Sequence, residues 1–364
     1  MNYNKAKLND LLFEVLRTAL AIIIAVGIVV VIIAFISGDP LDALKTLFLG
    51  PFASKRRIGN IIELAIPLTF CGLAISLTFR ARAINLVSDG AFYSGAMATA
   101  ICALVLVDLP PMAVVVISLI VGTIVGGILG AIPAVMKIKF GSMELVTSLM
   151  LNYVMSSIVR HYLTEFRDSK KMALETTDWN PAIILPRIID GTRIHAGIFI
   201  LLVCIVAVSI FMFKSKGGYA LRMTGTNKDF AHYSGIPVTK VLVGAQVAGA
   251  ALAGLGGSTE ILGMYSSFKW TISPRYGFDG VIIATLARNN PIMVPFAALF
   301  LSYIRIGADI LNRSSDISLE IVSIIQATII LLIASSAFLG NLKQKSLEKA
   351  TIQSEPAEKG GAKA

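Results

Sequence analysis

The sequence predicts an all-α fold, a polytopic bundle of transmembrane helices. The chain of 364 residues is 55% hydrophobic and only 15% charged, with a mean hydropathy of +0.78. A soluble domain of this size could not solvate its surface with so few polar side chains. Apolar runs of about 20 residues recur, and each can cross the hydrocarbon core as a helix. Their hydrophobicity is continuous rather than alternating, which excludes a transmembrane β-barrel.

The apolar runs predict about ten spans. Nine are long, at residues 16–36, 58–79, 91–107, 112–136, 142–161, 194–213, 241–262, 291–311 and 318–338. The tenth, 276–287, is short, at most about 18 Å of helix. The membrane domain is therefore 16–339. We expect residues 1–15 to be a cytoplasmic segment and 340–364 a disordered, Lys/Glu-rich cytoplasmic tail.

Basic residues predict that both termini lie inside. Ten spans return the lysine-rich stretch 343–363 to the side of the N-terminus, as the positive-inside rule requires. The longer loop 162–193 falls outside, but long loops are exempt from the rule. Lys55, Arg56 and Arg57 also fall outside, which counts against the topology. Because the basic residues are scattered between spans, the net charge of +10 is a poor sign of nucleic-acid binding.

Small residues repeat at four-residue spacing within two of the spans. The repeats are Gly122, Gly126 and Gly130 in one span, and Gly249, Ala253 and Gly257 in the other. Such stripes let membrane helices approach closely, so we interpret them as packing surfaces. The three cysteines lie far apart in apolar spans and predict neither a disulfide nor a metal site.

Two polar segments, 80–90 and 276–291, interrupt the helical pattern at corresponding places in the two halves. Paired interruptions of this kind are typical of a substrate path. Asp89 and Asp279 lie at the interruptions and could either line that path or cap a helix. Trp270 could stack on a planar substrate or anchor the chain at the membrane interface. The candidate path residues are Asn85, Ser88, Asp89, Phe92, Tyr93, Asn152, Phe278 and Asp279.

Other polar side chains inside the spans have simpler interpretations. Asn152 lies in mid-span, where its amide would hydrogen-bond either across helices or to a ligand. Arg305 has Asp309 one turn later as a natural partner. Glu63 and Glu260 lie near span ends, where we expect their carboxylates to reach water.

The polar connection 214–240 is much longer than a turn between two spans requires. Its middle, 227–234, predicts a short helix that Gly235 and then Pro237 close. Ala231 and Gly235 are four residues apart and would give this helix a small-residue face for close contact. The segment is either a docking element for another protein or a solvated loop.

Catalytic signatures are missing from the sequence. It holds no G-x-x-x-x-G-K-[ST] for ATP phosphates, no H-E-x-x-H and no G-x-S-x-G. The three histidines, at 161, 195 and 232, do not cluster. We therefore expect neither an enzyme nor a cofactor bound by this chain.

Four motifs resemble those of the membrane permeases of ABC importers for simple sugars and nucleosides. They are ELVTSLMLNY at 144–153, GTNKDFAHYSGI at 225–236, AALAGLGG at 250–257 and GFDGVIIATLARNNP at 277–291. The first is similar to the stretch that marks the longer of two paired permeases. The stretch NLVSDGA at 85–91 departs from the family pattern at Val87, Asp89 and Ala91, which leaves the ligand open.

The resemblance implies a multi-pass permease of a bacterial cell membrane that pairs with a second, related permease. Two ATPase subunits would bind ATP and magnesium, and an extracytoplasmic binding lipoprotein would deliver a nucleoside, a simple sugar or a riboflavin-like vitamin. The docking element would be the helix that couples the permease to an ATPase, through Asn227, Lys228, Asp229, Ala231, Tyr233, Gly235 and Ile236. An ion-coupled secondary transporter is the alternative, since Asp89 and Asp279 could serve it, and a channel or receptor is a further one.

Overall fold

The structure is a computed structural model that describes residues 38–314 together with 27–28, 30–31, 33–35, 320–321 and 324–328. The chain divides into a large unit, 46–310, and a second unit made of 1–45 and 311–364. The predicted first and last spans, 16–36 and 318–338, lie mostly outside the described residues. The terminal segments 1–15 and 340–364 lie wholly outside them.

The described chain is built from helices, and within 38–314 no strand forms beyond two isolated bridges. In order the helices are α1 Pro40–Leu49, α2 Lys55–Arg80, α3 Ser88–Val105, α4 Pro111–Phe140, α5 Glu144–Glu165, α6 Gly197–Lys214, α7 Lys216–Thr226, α8 Lys228–Tyr233, α9 Val238–Met264, α10 Tyr276–Leu286 and α11 Val294–Ser314. Gly50–Phe52 and Pro181–Ile183 form short 3₁₀ turns.

The all-α prediction is confirmed for the described part of the chain. Five helices there, α2, α4, α6, α9 and α11, are long and apolar enough to cross a membrane. Helices α3 and α5 occupy two further predicted spans but fall outside those five. The short predicted segment is the 11-residue helix α10. The count of ten crossings and the orientation stay predictions.

Helix α9 lies at the centre of the large unit and packs against α2, α3 and α4. Its small-residue stripe makes this possible. A Cβ at Gly249 would overlap the carbonyl oxygen of Ala74 in α2, and one at Gly257 would overlap that of Phe92 in α3. The predicted stripes are therefore packing surfaces where backbones touch, as expected for membrane helices.

The two ends of α2 contact different connecting segments. At its start, a Cβ on Gly59 would lie 2.6 Å from Cβ of Thr192, in the long loop between α5 and α6. At its end, the carbonyl oxygen of Arg80 lies against Gly225 of α7. The long loop and the α7–α8 segment therefore lie at opposite ends of this 26-residue helix.

The loop between α5 and α6 packs on the connection between α9 and α10. The Thr176 amide donates to the Phe268 carbonyl at 3.0 Å, and the Phe268 amide donates back to Thr176 Oγ1 at 3.0 Å. The Leu185 amide donates to the Leu262 carbonyl at 2.8 Å. These bonds place Trp270, on the same connection, against α3.

Candidate functional site

The two segments that interrupt the helical pattern, 80–90 and 276–291, meet inside the large unit. Asp89 lies in the first turn of α3, and a Cβ on Gly277, in the first turn of α10, would overlap the Asp89 backbone. The Gly277 amide donates to Asp89 Oδ1 at 3.3 Å, and Ser273 Oγ donates to Asp89 Oδ2 at 2.8 Å. A carboxylate at the positive end of a helix is favourable. Asp89 therefore joins α3 to the start of α10, although the two segments are far apart in sequence.

Helix α5 holds the irregular stretch before α3 in place. Asn152 Oδ1 accepts from the Gly90 amide at 3.0 Å, and Asn152 Nδ2 donates to the Leu86 carbonyl at 2.9 Å. Ser148 Oγ accepts from the Leu86 amide at 3.1 Å. These backbone groups would otherwise be unpaired in a water-poor interior. Of the two roles considered for Asn152, the structure shows the cross-helix one.

A buried chain of polar side chains leads away from the same interruption. Asn85 Nδ2 donates to Gln246 Oε1 at 2.7 Å, and Gln246 Nε2 donates to Glu144 Oε1 at 3.0 Å. Lys137 Nζ lies 3.2 Å from Glu144 Oε2. Asn85 was a predicted site residue, whereas Gln246 was missed. Its amide is a polar group in an otherwise apolar run, and that signal could have identified it.

Aromatic rings cover the side of α3 next to Asp89. The Phe92 ring stacks on Trp270 at 5.9 Å between centroids and meets Tyr276 edge-on at 5.4 Å. Tyr93 is buried, and its hydroxyl donates to the Trp270 carbonyl at 2.6 Å. Trp270 stacks on Phe92 in the structure, and its two suggested roles, on a substrate or at the membrane interface, stay predictions. The exposed ring of Phe278 takes no part in this cluster.

Asp279, in the first turn of α10, forms an ion pair with Arg305 of α11. Its other oxygen, Oδ2, and Arg305 Nε are buried and have no hydrogen-bond partner among the described residues. The sequence suggested Asp309 as the partner of Arg305. Asp279 was not considered, because a partner 26 residues away leaves no periodic signal.

Glu260 corrects one expectation. We expected its carboxylate to reach water, but Glu260 is only 1% exposed, and its Oε2 lies 4.0 Å from Nε2 of the fully buried His195. The reason is that the end of the long loop folds back onto α9. Gly263 leaves room there for the His195 ring, which a Cβ would overlap. Glu63 keeps partial exposure.

The predicted short helix at 227–234 is present as α8, and both of its ends are capped. Asn227 Oδ1 accepts from the amides of Asp229 and Phe230 at 3.0 Å each. At the other end, the Gly235 amide donates to the His232 carbonyl and the Ile236 amide to the Ala231 carbonyl, both at 3.0 Å. This is a Schellman motif, and Gly235 has the positive φ, 79°, that the motif favours.

The small-residue face expected on this helix is wrong. Ala231 has no exposed surface, since it packs inward, and Lys228 is half-buried. The face that α8 offers to the outside is aromatic instead, with Phe230 55% exposed and Tyr233 89% exposed. A six-residue helix turns one side inward when neighbouring helices support it, and sequence spacing alone could not say which side.

Helix α7 fixes α8 to the bundle. Ser215 caps α7 by accepting from the Gly218 amide at 2.9 Å, and Gly218 packs on the last turn of α6. Gly225 packs on the carbonyl of Arg80, the last residue of α2. Residues 81–87 then lead directly into the start of α3 at Ser88. The surface segment and the Asp89 cluster are thus connected through the end of α2.

A family model and several known proteins match most of the chain. Residues 57–334 match the model of the family described as branched-chain amino acid transport system / permease component. The chain is 27% identical to the nucleoside ABC transporter permease protein NupB of Lactococcus lactis subsp. cremoris, covering 98% of this chain and all of that protein.

Two further relatives match most of the chain. The guanosine ABC transporter permease protein NupP of Bacillus subtilis is 30% identical over 83% of this chain and 88% of its own length. The glucose ABC transporter permease protein TsgB13 of Haloferax volcanii is 27% identical over 88% of this chain and 87% of its own. These matches confirm the resemblance found in the four motifs. The chain therefore belongs to the family of branched-chain amino acid transport system permease components.

Proposed function

We propose that this chain is the membrane permease of an ABC importer and that its substrate is a nucleoside. The observation that supports this most is the junction of α3 and α10, where the two segments that interrupt the helical pattern meet beside a cluster of aromatic rings. Two relatives that match most of the chain carry nucleoside or guanosine in their names. The substrate path then passes Asn85, Ser88, Asp89, Phe92, Tyr93, Asn152, Phe278 and Asp279.

The aromatic cluster suggests how a base is recognised. Trp270 covers Phe92, so one face of Phe92 becomes available only when the α9–α10 connection moves. Stacking of a base on an aromatic side chain contributes about 1–3 kcal/mol. Trp270 would thus act as a movable cover, and the base would take its place on Phe92.

Uptake by the assembled transporter tests the substrate. Unlabelled guanosine or adenosine should compete with labelled guanosine, and glucose or ribose in large excess should not. Phe92→Leu should raise the KM for guanosine about tenfold, the loss of one good stack, whereas Phe278→Leu should change KM less. Competition by a sugar but not by nucleosides would overturn the nucleoside assignment and leave the permease role intact.

We also propose that α8 docks on an ATPase subunit. Its exposed aromatic face, its caps at Asn227 and Gly235 and its connection to α2 through α7 all suit a rigid element that transmits motion. Asp229, Lys228 and Ile236 flank that face. Closure of the ATPases around ATP would then shift the end of α2 and, through residues 81–87, the junction at Asp89.

Co-purification tests the docking role. Phe230→Ser combined with Tyr233→Ser should abolish association with the ATPase and substrate-stimulated ATP hydrolysis, while the permease still inserts. Met172→Ser, at a fully exposed site on the long loop, is the control and should leave both unchanged. Gly235→Trp is a poorer test, because a residue with φ near 79° is strained by any side chain. Normal association of the double variant would rule out docking through α8.

The remaining partners follow from the same proposal. A second, related permease completes the path as a heterodimer, ATP and magnesium bind to the partner ATPases, and an extracytoplasmic lipoprotein supplies the substrate. The chain crosses a bacterial cell membrane about ten times with both termini inside. Two differently tagged copies of this chain should fail to co-purify in the presence of the second permease. Efficient co-purification would indicate a homodimer.

A further inference from the structure

A cavity of about 400 Å³ lies where α2, α6 and α10 end. Its walls include Arg80, Phe213, Leu286, Arg288, Asn289 and Met293, and none of the described residues that line it is acidic. Within the described part of the chain, the Arg80 guanidinium has neither an ion pair nor a hydrogen-bond partner. The cavity therefore joins two cationic groups to apolar walls in one concave surface.

The backbone presents Arg288 at this cavity in an unusual conformation. Arg288 and Asn289 have φ values of 52° and 54°, in the left-handed region that side-chain-bearing residues seldom adopt. Two hydrogen bonds hold them there, from the Asn289 amide to the Ala284 carbonyl at 2.8 Å and from the Arg288 amide to the Thr285 carbonyl at 3.0 Å. The end of α10 thus turns sharply, and the turn sets Arg288 beside the cavity.

Two exposed apolar stripes begin at the same cavity. On α11 the stripe runs from Met293 through Phe296 to Leu299, and on α6 it runs from Phe213 back through Ile210 and Val206. The spacing of three or four residues keeps each stripe on one face of its helix. A ligand with a charged head and two apolar chains matches this layout, since each stripe can carry one chain.

We propose that the cavity binds the headgroup of an anionic phospholipid, with the acyl chains along α6 and α11. A guanidinium pairs with a phosphate through parallel hydrogen bonds, and cationic groups near a cytoplasmic leaflet attract anionic lipids. Inorganic phosphate would pair with the Arg80 guanidinium but would leave Phe213 and Met293 uncovered. Because the Arg80 carbonyl also contacts Gly225, a lipid held here would stabilise the contact between α2 and α7 and so influence coupling to the ATPase.

Native mass spectrometry of the assembled transporter tests this proposal. The complex is released from nanodiscs of phosphatidylcholine and phosphatidylglycerol in equal amounts. We expect the complex to retain phosphatidylglycerol in preference to phosphatidylcholine, and added inorganic phosphate should not change this preference. Combining Arg80→Gln with Arg288→Gln should reduce the preference roughly tenfold or more. Arg82→Gln is the control, because Arg82 is exposed on the adjacent turn and does not line the cavity.

A second double variant, Arg80→Lys combined with Arg288→Lys, shows whether the double glutamine variant loses its lipid preference merely because it misfolds. These substitutions keep the charge and should restore most of the preference. Equal retention of both lipids, or unchanged preference in the Gln variants, would overturn the proposal. Competition by inorganic phosphate would identify a free-anion site instead. The isolated permease could instead prefer phosphatidylglycerol and lose this preference on assembly. That result would mean that a partner subunit covers the cavity, and it would also overturn the proposal.

Discussion

Asn152 stabilises the start of α3 through two backbone groups at once, the Gly90 amide and the Leu86 carbonyl. Asn152→Ala should therefore lower stability by about 1–2 kcal/mol, because interhelical hydrogen bonds in membranes contribute modestly but both backbone groups become unpaired. Thermal unfolding of the purified permease in detergent measures the loss. Tyr153→Ala removes a larger but exposed side chain from the next position and should change the midpoint little. Equal midpoints for the two variants would contradict the bridging role.

Asp279 and Arg305 make a second residue-scale prediction. Breaking a fully buried ion pair by removing one partner costs about 3–5 kcal/mol, since the other charge is left uncompensated. Arg305 is 25% exposed, so we expect a smaller loss here. Asp279→Asn and Arg305→Gln should each reduce the amount of folded permease. The double variant should lose less stability than the two single variants lose together. A double-mutant cycle then gives the coupling energy between Asp279 and Arg305. Additive losses would show that the pair contributes nothing as a pair.

The same cycle separates stability from transport. If Asp279 lines the substrate path, the double variant recovers folded protein but not uptake, because the carboxylate is still missing. Recovery of both would limit Asp279 to holding α10 against α11. Transport must therefore be measured per folded permease and not per cell.

At the scale of elements, adjacent glycines on α4 make a matched pair. A Cβ at Gly126 would overlap the carbonyl oxygen of Ala250 on α9, whereas one at Gly127 would come no closer than 3.6 Å to Ala251 Cβ. Gly126→Ala should separate α4 from α9 and destabilise the bundle by about 1–3 kcal/mol, as overpacking does. Gly127→Ala should be neutral. Thermal unfolding midpoints of the two variants measure the difference. A larger loss of stability in Gly127→Ala than in Gly126→Ala would mean that the helices pack in another register.

The helices of the large unit were largely predictable from sequence, because a continuous apolar run in lipid has to satisfy its own backbone groups. The residues at which the helices begin and end were less predictable. Helix α3 begins at Ser88, before its apolar run, and α4 continues to Phe140, past Lys137, since the helix extends beyond the hydrocarbon. The cap residues Asn227 and Gly235 were predictable because capping is a local property.

Contacts between distant elements were not predictable. Asn85 pairs with Gln246 and Asp89 with Gly277, and no periodicity in one sequence tells which polar groups will meet. The same limit explains why the burial of Ala231 could not be predicted from the sequence. Its small side chain suited either close contact with a partner or close contact with its own bundle, and only the packed fold distinguishes the two.

For the molecule as a whole, α2 sets the relation between the two polar surfaces. Its 26 residues extend about 39 Å, enough to cross the hydrocarbon core. Gly59 near one end touches Thr192 of the long loop, and Arg80 at the other end touches Gly225. If α8 faces the cytoplasm, Lys55 at the start of α2 must face outside. The positive charges at 55–57 are then a genuine exception to the positive-inside rule, a consequence of one continuous helix.

Single-cysteine labelling tests this arrangement in intact cells. In a background with Cys71, Cys102 and Cys204 replaced by alanine, Ala53→Cys and Met172→Cys should react with a membrane-impermeant maleimide added outside. Thr239→Cys, at the exposed start of α9 and away from the aromatic face of α8, should react only after permeabilisation. All three sites are exposed in the fold, so a difference in reactivity reports the side of the membrane and not burial. Reaction of Ala53→Cys and Thr239→Cys from the same side would show that α2 does not cross the membrane, and would remove the proposed connection between α8 and the Asp89 junction.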